Sequence, residues 1–121
     1  SALDANANLI VLSGDSHNAW AFDLVLDGTA AGVEFAGQSV TSPGYEAYLP
    51  RVAPDDLAGA IVENNRQLKW AETHRRGYMT LELTSDRATS EWLFLDTVRQ
   101  RSTHVAARHR MSAIHGTNRL V

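Results

Sequence analysis

Asp15 and His17 have the clearest chemical potential in this sequence, because they lie two positions apart just after an apolar run. That run, residues 9–12, has the pattern of a strand buried on both faces of an α/β sheet. Gly14 permits a sharp departure from such a strand, and loops at strand ends are where open α/β sheets bind ligands. In an extended loop, residues two apart face the same side, so both side chains are predicted to face one ion or ion pair.

The two side-chain types indicate which metals would suit this loop. A carboxylate is a hard oxygen ligand and a neutral imidazole is a borderline nitrogen ligand, which favours iron, zinc or manganese over magnesium alone. Asp-x-His is nevertheless a weak motif, because neighbouring Asp and His side chains often only hydrogen-bond to each other or to the backbone. Asp15 and His17 are therefore candidate metal ligands, with ordinary loop residues as the alternative.

Two further groups contain residues that could act at a site. His74, Arg75 and Arg76 are candidate phosphate neighbours, because arginine forks match phosphate oxygens, and solvated surface is the competing interpretation. Three other histidines are spaced by five and six residues, which fits neither a helix face nor a strand face. They are predicted to lie on the surface: His104, His109 and His115.

Strands dominate the predicted elements. Residues 19–26 alternate in hydrophobicity, with Trp20 as the first inward side chain, and end at an Asp-Gly turn. Residues 77–84 and 89–96 predict an antiparallel hairpin in which Trp92 points inward.

The remaining segments predict one helix, one loop and one more strand. Residues 53–64 are helical in pattern, because Pro54 suits the first helical position and two aspartates follow it. Residues 38–48 predict a loop, and residues 114–121 predict a last strand.

Composition limits the classes of protein that the chain can represent. Its 121 residues suit one small domain of ordinary globular composition, and the absence of cysteine excludes disulfides and thiolate ligands. The longest apolar run near the start is too short to cross a bilayer, and no signal peptide is visible. The start at Ser1 suggests a processed or truncated chain, with residues 1–7 as a lead-in.

Charge is unevenly distributed along the chain. The net charge is −3, but the basic tail, residues 99–121, contains five arginines and no acid. A non-catalytic module that binds an anionic partner through this tail is therefore the alternative function. Nucleic acid is the less favoured partner, because the tail has no aromatic residue for base stacking.

Several motifs resemble a known family when they are taken in order. Gly14-Asp15-x-His17-x-x-Trp20 after a hydrophobic strand is similar to a motif of PhoD-like alkaline phosphatases. Similar segments follow at residues 33–44, at 64–70, at Arg76-Gly77-Tyr78 and at 91–98. The resemblance covers residues 8–98.

The resemblance implies a fold related to that of purple acid phosphatases. The expected class is α/β: the C-terminal portion of a four-layer α/β/β/α sandwich, with mainly antiparallel strands and one or two helices. The isolated chain would then be α+β. Residues 8–98 would form the sheet core, residues 13–20 the metal loop, and residues 99–121 the basic tail with a last strand.

The resemblance also implies an activity. The parent protein would be a periplasmic or secreted phosphoester hydrolase of the alkaline phosphatase or phosphodiesterase type, with no membrane partner. His17 would bind Fe³⁺ and Asp15 would bind Ca²⁺, and these metals would polarise a phosphate ester and activate water.

The other ligands of that site are expected from the family's N-terminal part. Those ligands are further carboxylates, an Asn and a Tyr or thiolate. Two donors hold a metal weakly, so the chain alone is predicted to be inactive. Removal of the N-terminal half would expose strand edges, which predicts a homo-oligomer; a strict monomer at high concentration would contradict this.

Overall fold

The computed structural model describes residues 8–121, and the predicted lead-in, residues 1–7, lies outside the described residues. Seven strands, one α-helix and one 3₁₀ turn are found in this part of the chain. They are β1 Leu9–Ser13, β2 Ala19–Leu26, β3 Thr29–Ala36, the 3₁₀ turn Tyr45–Ala47, α1 Pro54–Glu63, β4 Leu68–Glu72, β5 Gly77–Leu83, β6 Arg87–Leu95 and β7 Val105–Ile114.

The strands form two sheets. The first has the order β1-β3-β2-β4 and the second the order β5-β6-β7. The pair β1 and β3 is parallel, and every other pair is antiparallel. The predicted class, mainly antiparallel strands with one or two helices, is confirmed.

β1 does not have the environment that its apolar run predicts. It lies at an edge of the first sheet, and its residues are half-buried or exposed. The prediction of a strand buried on both faces is wrong for the described residues, because β3 is the one described strand that pairs with it. Leu12 is 55% exposed as a result.

Aromatic side chains fill the space between the two sheets. Trp92 on β6 is fully buried, with its ring 5.8 Å from Phe35 and 4.7 Å from Trp70. Its indole N–H donates to the Ala36 carbonyl at 2.9 Å, so the polar atom of this buried ring is satisfied. The prediction that Trp92 points inward is confirmed.

The face of β2 that packs between the sheets is made of small residues. Ala19 and Ala21 are fully buried, whereas Trp20 is only half-buried. The prediction of Trp20 as an inward residue is wrong, because alternation puts its neighbours on the core face. Its indole N–H instead donates to Ser16 Oγ at 2.7 Å, and its ring packs edge-on against Tyr45.

The predicted bounds of the helix and of the last strand can be compared with those in the structure. The helix prediction is confirmed: α1 begins at Pro54. The last strand is β7, which ends where the predicted strand 114–121 would begin. Residues 115–121 fold back instead, and Leu120 forms a single bridge with Ala113 and donates its N–H to Asp23 Oδ1 at 2.8 Å.

His109 is half-buried, whereas His104 and His115 are exposed. Its ring stacks on Trp70, with centroids 4.0 Å apart and planes 10° apart. The surface prediction fails for His109 because its position on β7 faces Trp92 across the strand pair and Trp70 across the sheets.

Burial of His109 predicts a pH-dependent stability. Desolvation lowers the pKa of His109, so the folded chain favours the neutral ring, whereas the unfolded chain binds a proton near pH ~6.5. The free energy of unfolding should therefore be fully retained above that value and fall as the pH drops through it towards the lower folded pKa. Urea unfolding at pH 7.5 and pH 5.5 measures the change.

His109→Phe keeps an aromatic ring in the stack and removes the titrating group. We expect its stability to change less between the two pH values than that of the unaltered chain. His104→Phe is the matched control at an exposed position. An equal pH dependence in the unaltered chain and in His109→Phe would contradict the prediction.

Candidate metal centre and phosphate pocket

The loop between β1 and β2 is tightly turned. Asp15 and His17 both have positive φ, 66° and 62°, and the Ser16 N–H donates to the Gly14 carbonyl at 2.7 Å. The loop is therefore not extended, and the argument from alternation does not apply to it. Non-glycine residues with positive φ are uncommon, and such backbone strain concentrates at functional sites.

The His17 ring is oriented by a backbone carbonyl. Its Nδ1 lies 2.9 Å from the carbonyl oxygen of Pro43. Because a carbonyl oxygen can only accept, Nδ1 carries the proton, and in the neutral ring Nε2 keeps its lone pair. Metal-binding histidines are commonly oriented in this way.

Asp15 occupies the exposed side of the same loop, where its carboxylate is accessible. The two candidate ligands thus share one short turn. Within residues 8–121, no group of three or more His, Asp and Glu side chains could hold a metal ion.

Arg76 is a buried cation beneath the loop. Its side chain is 6% exposed, and its Nη2 lies 2.9 Å from Glu46 Oε2, while its Nη1 donates to the His17 carbonyl. The interpretation of Arg76 as solvated surface is therefore wrong. Both of its terminal nitrogens already have protein acceptors, so the guanidinium acts on the loop itself.

Asn18 is a second residue that holds the loop, and it is almost fully buried. Its Nδ2 donates to the Ser16 carbonyl at 2.6 Å, and its Oδ1 accepts from the Tyr45 N–H at 3.2 Å. Sequence reasoning missed Asn18 and Glu46 as site residues. The position of Asn18 next to His17 was a usable signal, whereas Glu46 has no local motif.

A large pocket lies beside this network. Its volume is about 660 Å³, and its walls are the loop around Pro43, residues 74–76 and residues 95–99. His74, Arg75 and Arg76 therefore come together at one pocket, and Arg99 joins them. A smaller cavity of about 90 Å³ lies between β1, the β5–β6 turn and the end of β7, and contains none of the predicted site residues.

Glu72 balances part of the positive charge of the pocket. Its carboxylate lies 2.6 Å from His74 Nδ1 and 3.7 Å from Arg75 Nη1. Arg75 is about half exposed, so its guanidinium can exchange this long contact for an anionic ligand. The pocket lining thus combines three arginines, Arg75, Arg76 and Arg99, with two acids, Glu46 and Asp96.

Residues 105–114 of the basic tail form β7 of the second sheet. Arg108 and Arg110 lie on β7 and flank Glu91 of β6, at 3.6 and 3.5 Å. Both arginines pair with an acid of the same sheet while their side chains stay 57% and 66% exposed.

The chain thus combines a fold of two packed sheets with a turned Asp-His loop. The family model described as PhoD-like phosphatase matches residues 1–92. The chain belongs to the PhoD-like phosphatase family.

A solved structure of PhoD has the same fold. It superposes with a TM-score of 0.77 at 21% sequence identity, over 98% of this chain. The match covers 23% of the PhoD chain, so this chain spans less than a quarter of that length. A search of curated proteins found no match. In the part of the chain that the structure describes, no helix has both the length and the apolar character needed to cross a membrane.

Proposed function

We propose that this chain is part of a metal-dependent phosphoester hydrolase, acting on phosphomonoesters or phosphodiesters, and that Asp15 and His17 are metal ligands. The observation that carries the proposal is the hydrogen bond from His17 Nδ1 to the Pro43 carbonyl at 2.9 Å. This bond fixes the tautomer whose Nε2 is available to a metal. Family membership supports the phosphatase class.

The donor set fits the ions that the family resemblance implies. An imidazole nitrogen suits iron, and an exposed carboxylate oxygen suits calcium. When bound, the two metals would polarise the phosphate ester and activate water. Two protein donors are too few for a catalytic site, so we propose that other segments of the parent protein complete it and that this chain alone is inactive.

The chain's own residues have separate tasks in this proposal. Pro43 holds the Nδ1 proton of His17, which leaves Nε2 unprotonated. Arg75 and Arg99 at the pocket rim attract and orient the ester, because guanidinium groups bind phosphate oxygens in a forked geometry. His74 Nδ1 lies 2.6 Å from the Glu72 carboxylate and occupies it as a hydrogen-bond donor.

Metal removal tests this function in the longer protein that contains the chain. Hydrolysis of one phosphomonoester and one phosphodiester should be lost after treatment with a chelator and return when Fe³⁺ and Ca²⁺ are restored together. Asp15→Asn should raise the Ca²⁺ concentration needed for half-maximal activity, because the amide lacks the anionic oxygen that Ca²⁺ prefers. Hydrolysis that survives complete removal of metal would contradict the proposal.

Self-association and location complete the proposal. Exposed apolar residues at the sheet margins, Leu12 at 55% and Leu83 at 64%, support the predicted homo-oligomer of the isolated chain. The periplasmic or secreted location stays a prediction from the family resemblance.

A further inference from the structure

A closed ring of hydrogen bonds passes through both polar ends of His17. The His17 carbonyl accepts from Arg76 Nη1, and Arg76 Nη2 donates to both oxygens of Glu46, at 3.0 and 2.9 Å. Glu46 Oε1 also accepts from the Gly44 N–H at 3.1 Å. Gly44 follows Pro43, whose carbonyl accepts from His17 Nδ1. The ring therefore returns to the residue at which it began.

Glu46 is the point at which the two branches of this ring meet. One branch reaches the His17 backbone through Arg76, and the other reaches the His17 imidazole through Gly44 and Pro43. Two bonds between one carboxylate and one guanidinium nitrogen restrict the position of that nitrogen, and a charged hydrogen bond is stronger than a neutral one. Because the Arg76 side chain is 6% exposed, loss of Glu46 would leave a buried unpaired cation.

The ring is packed without spare room at Gly44. A Cβ atom at this position would lie 2.7 Å from Arg76 Nη2, 2.9 Å from the Thr73 carbonyl oxygen and closer still to Asn18 Oδ1. Its φ of −98° is accessible to any residue, so the close approach and not the backbone torsion requires glycine here. The ring therefore tolerates little displacement of the loop that it holds.

We propose that Glu46 and Arg76 are positioning residues for the metal loop. They hold His17 with its Nδ1 proton on Pro43 and its Nε2 free, and they act on the metal through His17. The assignment of a metal to Nε2 rests on the proposed function. The orientation of the His17 imidazole does not rest on it, because every hydrogen bond of the closed ring forms within this chain without a metal.

Nuclear magnetic resonance of the histidine ring nitrogens tests the proposal on this chain without metal. The unaltered chain should show His17 as the Nδ1–H tautomer. Glu46→Gln removes the charge that pairs with Arg76, and Arg76→Lys removes the forked geometry. Both variants should shift the two ring-nitrogen resonances of His17 towards those of a free histidine.

Two matched controls and one internal reference separate this effect from general destabilisation. Glu82→Gln and Arg101→Lys make the same chemical changes at exposed positions and should leave the His17 resonances unchanged. The His109 ring lies between the sheets, so unchanged His109 signals show that a variant is folded. Unchanged His17 resonances in folded Glu46→Gln and Arg76→Lys would overturn the proposal.

Hydrogen exchange in the unaltered chain keeps the proposal testable if both variants fail to fold. The Gly44 N–H and the Arg76 guanidinium protons should exchange with solvent much more slowly than the guanidinium protons of exposed Arg101. Rapid exchange at Gly44 and Arg76 would show that the ring is open and would overturn the proposal.

Metal affinity in the longer protein separates this proposal from the proposed function. Glu46→Gln should lower iron affinity by roughly 10–100-fold, which is the usual effect of losing a group that orients a ligand. If His17→Ala leaves metal binding intact while Glu46→Gln still shifts the His17 resonances, the metal assignment fails and the positioning role stands. If His17 binds the metal but does not respond to Glu46→Gln, the positioning role fails alone.

Discussion

His17→Ala in the longer protein is expected to lower kcat/KM for phosphoester hydrolysis by more than about 100-fold. The reason is that loss of an orienting group already costs roughly 10–100-fold, and loss of the ligand itself should cost more. Steady-state hydrolysis of a phosphomonoester, with metal content measured on the same sample, checks the result. The bound iron should fall together with the activity.

His115→Ala is the matched control for this variant, because His115 is exposed and lines the smaller cavity and not the larger pocket. It should retain the activity of the unaltered protein. Circular dichroism should show native strand content in both variants. A loss of tens-fold or less in a folded His17→Ala protein would argue that His17 does not bind the metal.

Trp92→Ala is expected to destabilise the fold by about 3–5 kcal/mol, because it removes a large aromatic ring from the core. Trp92 is fully buried, contacts rings of both sheets and donates to the Ala36 carbonyl, which would be left without this partner. Urea unfolding followed by circular dichroism measures the change. Since small domains are stable by roughly 5–15 kcal/mol, the variant could lose much of its folded population.

Tyr48→Ala is the control for the loss of an aromatic ring, because Tyr48 is 75% exposed. Its free energy of unfolding should change by less than about 0.5 kcal/mol. A Trp92→Ala chain that loses no more stability than this control would show that the two sheets do not depend on the Trp92 contact.

The strands and the helix were predictable where the sequence carries a local period. Residues 77–84 and 89–96 alternate in hydrophobicity and form β5 and β6, and Pro54 marks the start of α1. Which face of a strand is buried was less predictable. In β2, Trp20 lies on one face and its alanine neighbours lie on the other, and both faces are apolar at this end of the strand. Only the second sheet, which packs on the alanines, determines which set is buried.

The candidate site was predictable in its ligands and not in their supports. Asp15 and His17 follow from a short motif at the end of a strand, and the family resemblance added to it. The supports come from distant parts of the chain: Pro43 is 26 positions from His17, and Arg76 is 59 positions from it. Contacts of this range leave no period in the sequence, so the buried state of Arg76 could not be inferred.

The stack of Trp70, Trp92 and His109 gives the protein a built-in optical signal. Trp70 belongs to β4 of the first sheet, while Trp92 and His109 belong to β6 and β7 of the second. Separation of the sheets would move fully buried Trp92 and half-buried Trp70 from a closely packed setting into water, while each sheet could keep its own strands. Two of the three tryptophans therefore report the docking of the two sheets through their emission, independently of the backbone signal from the strands.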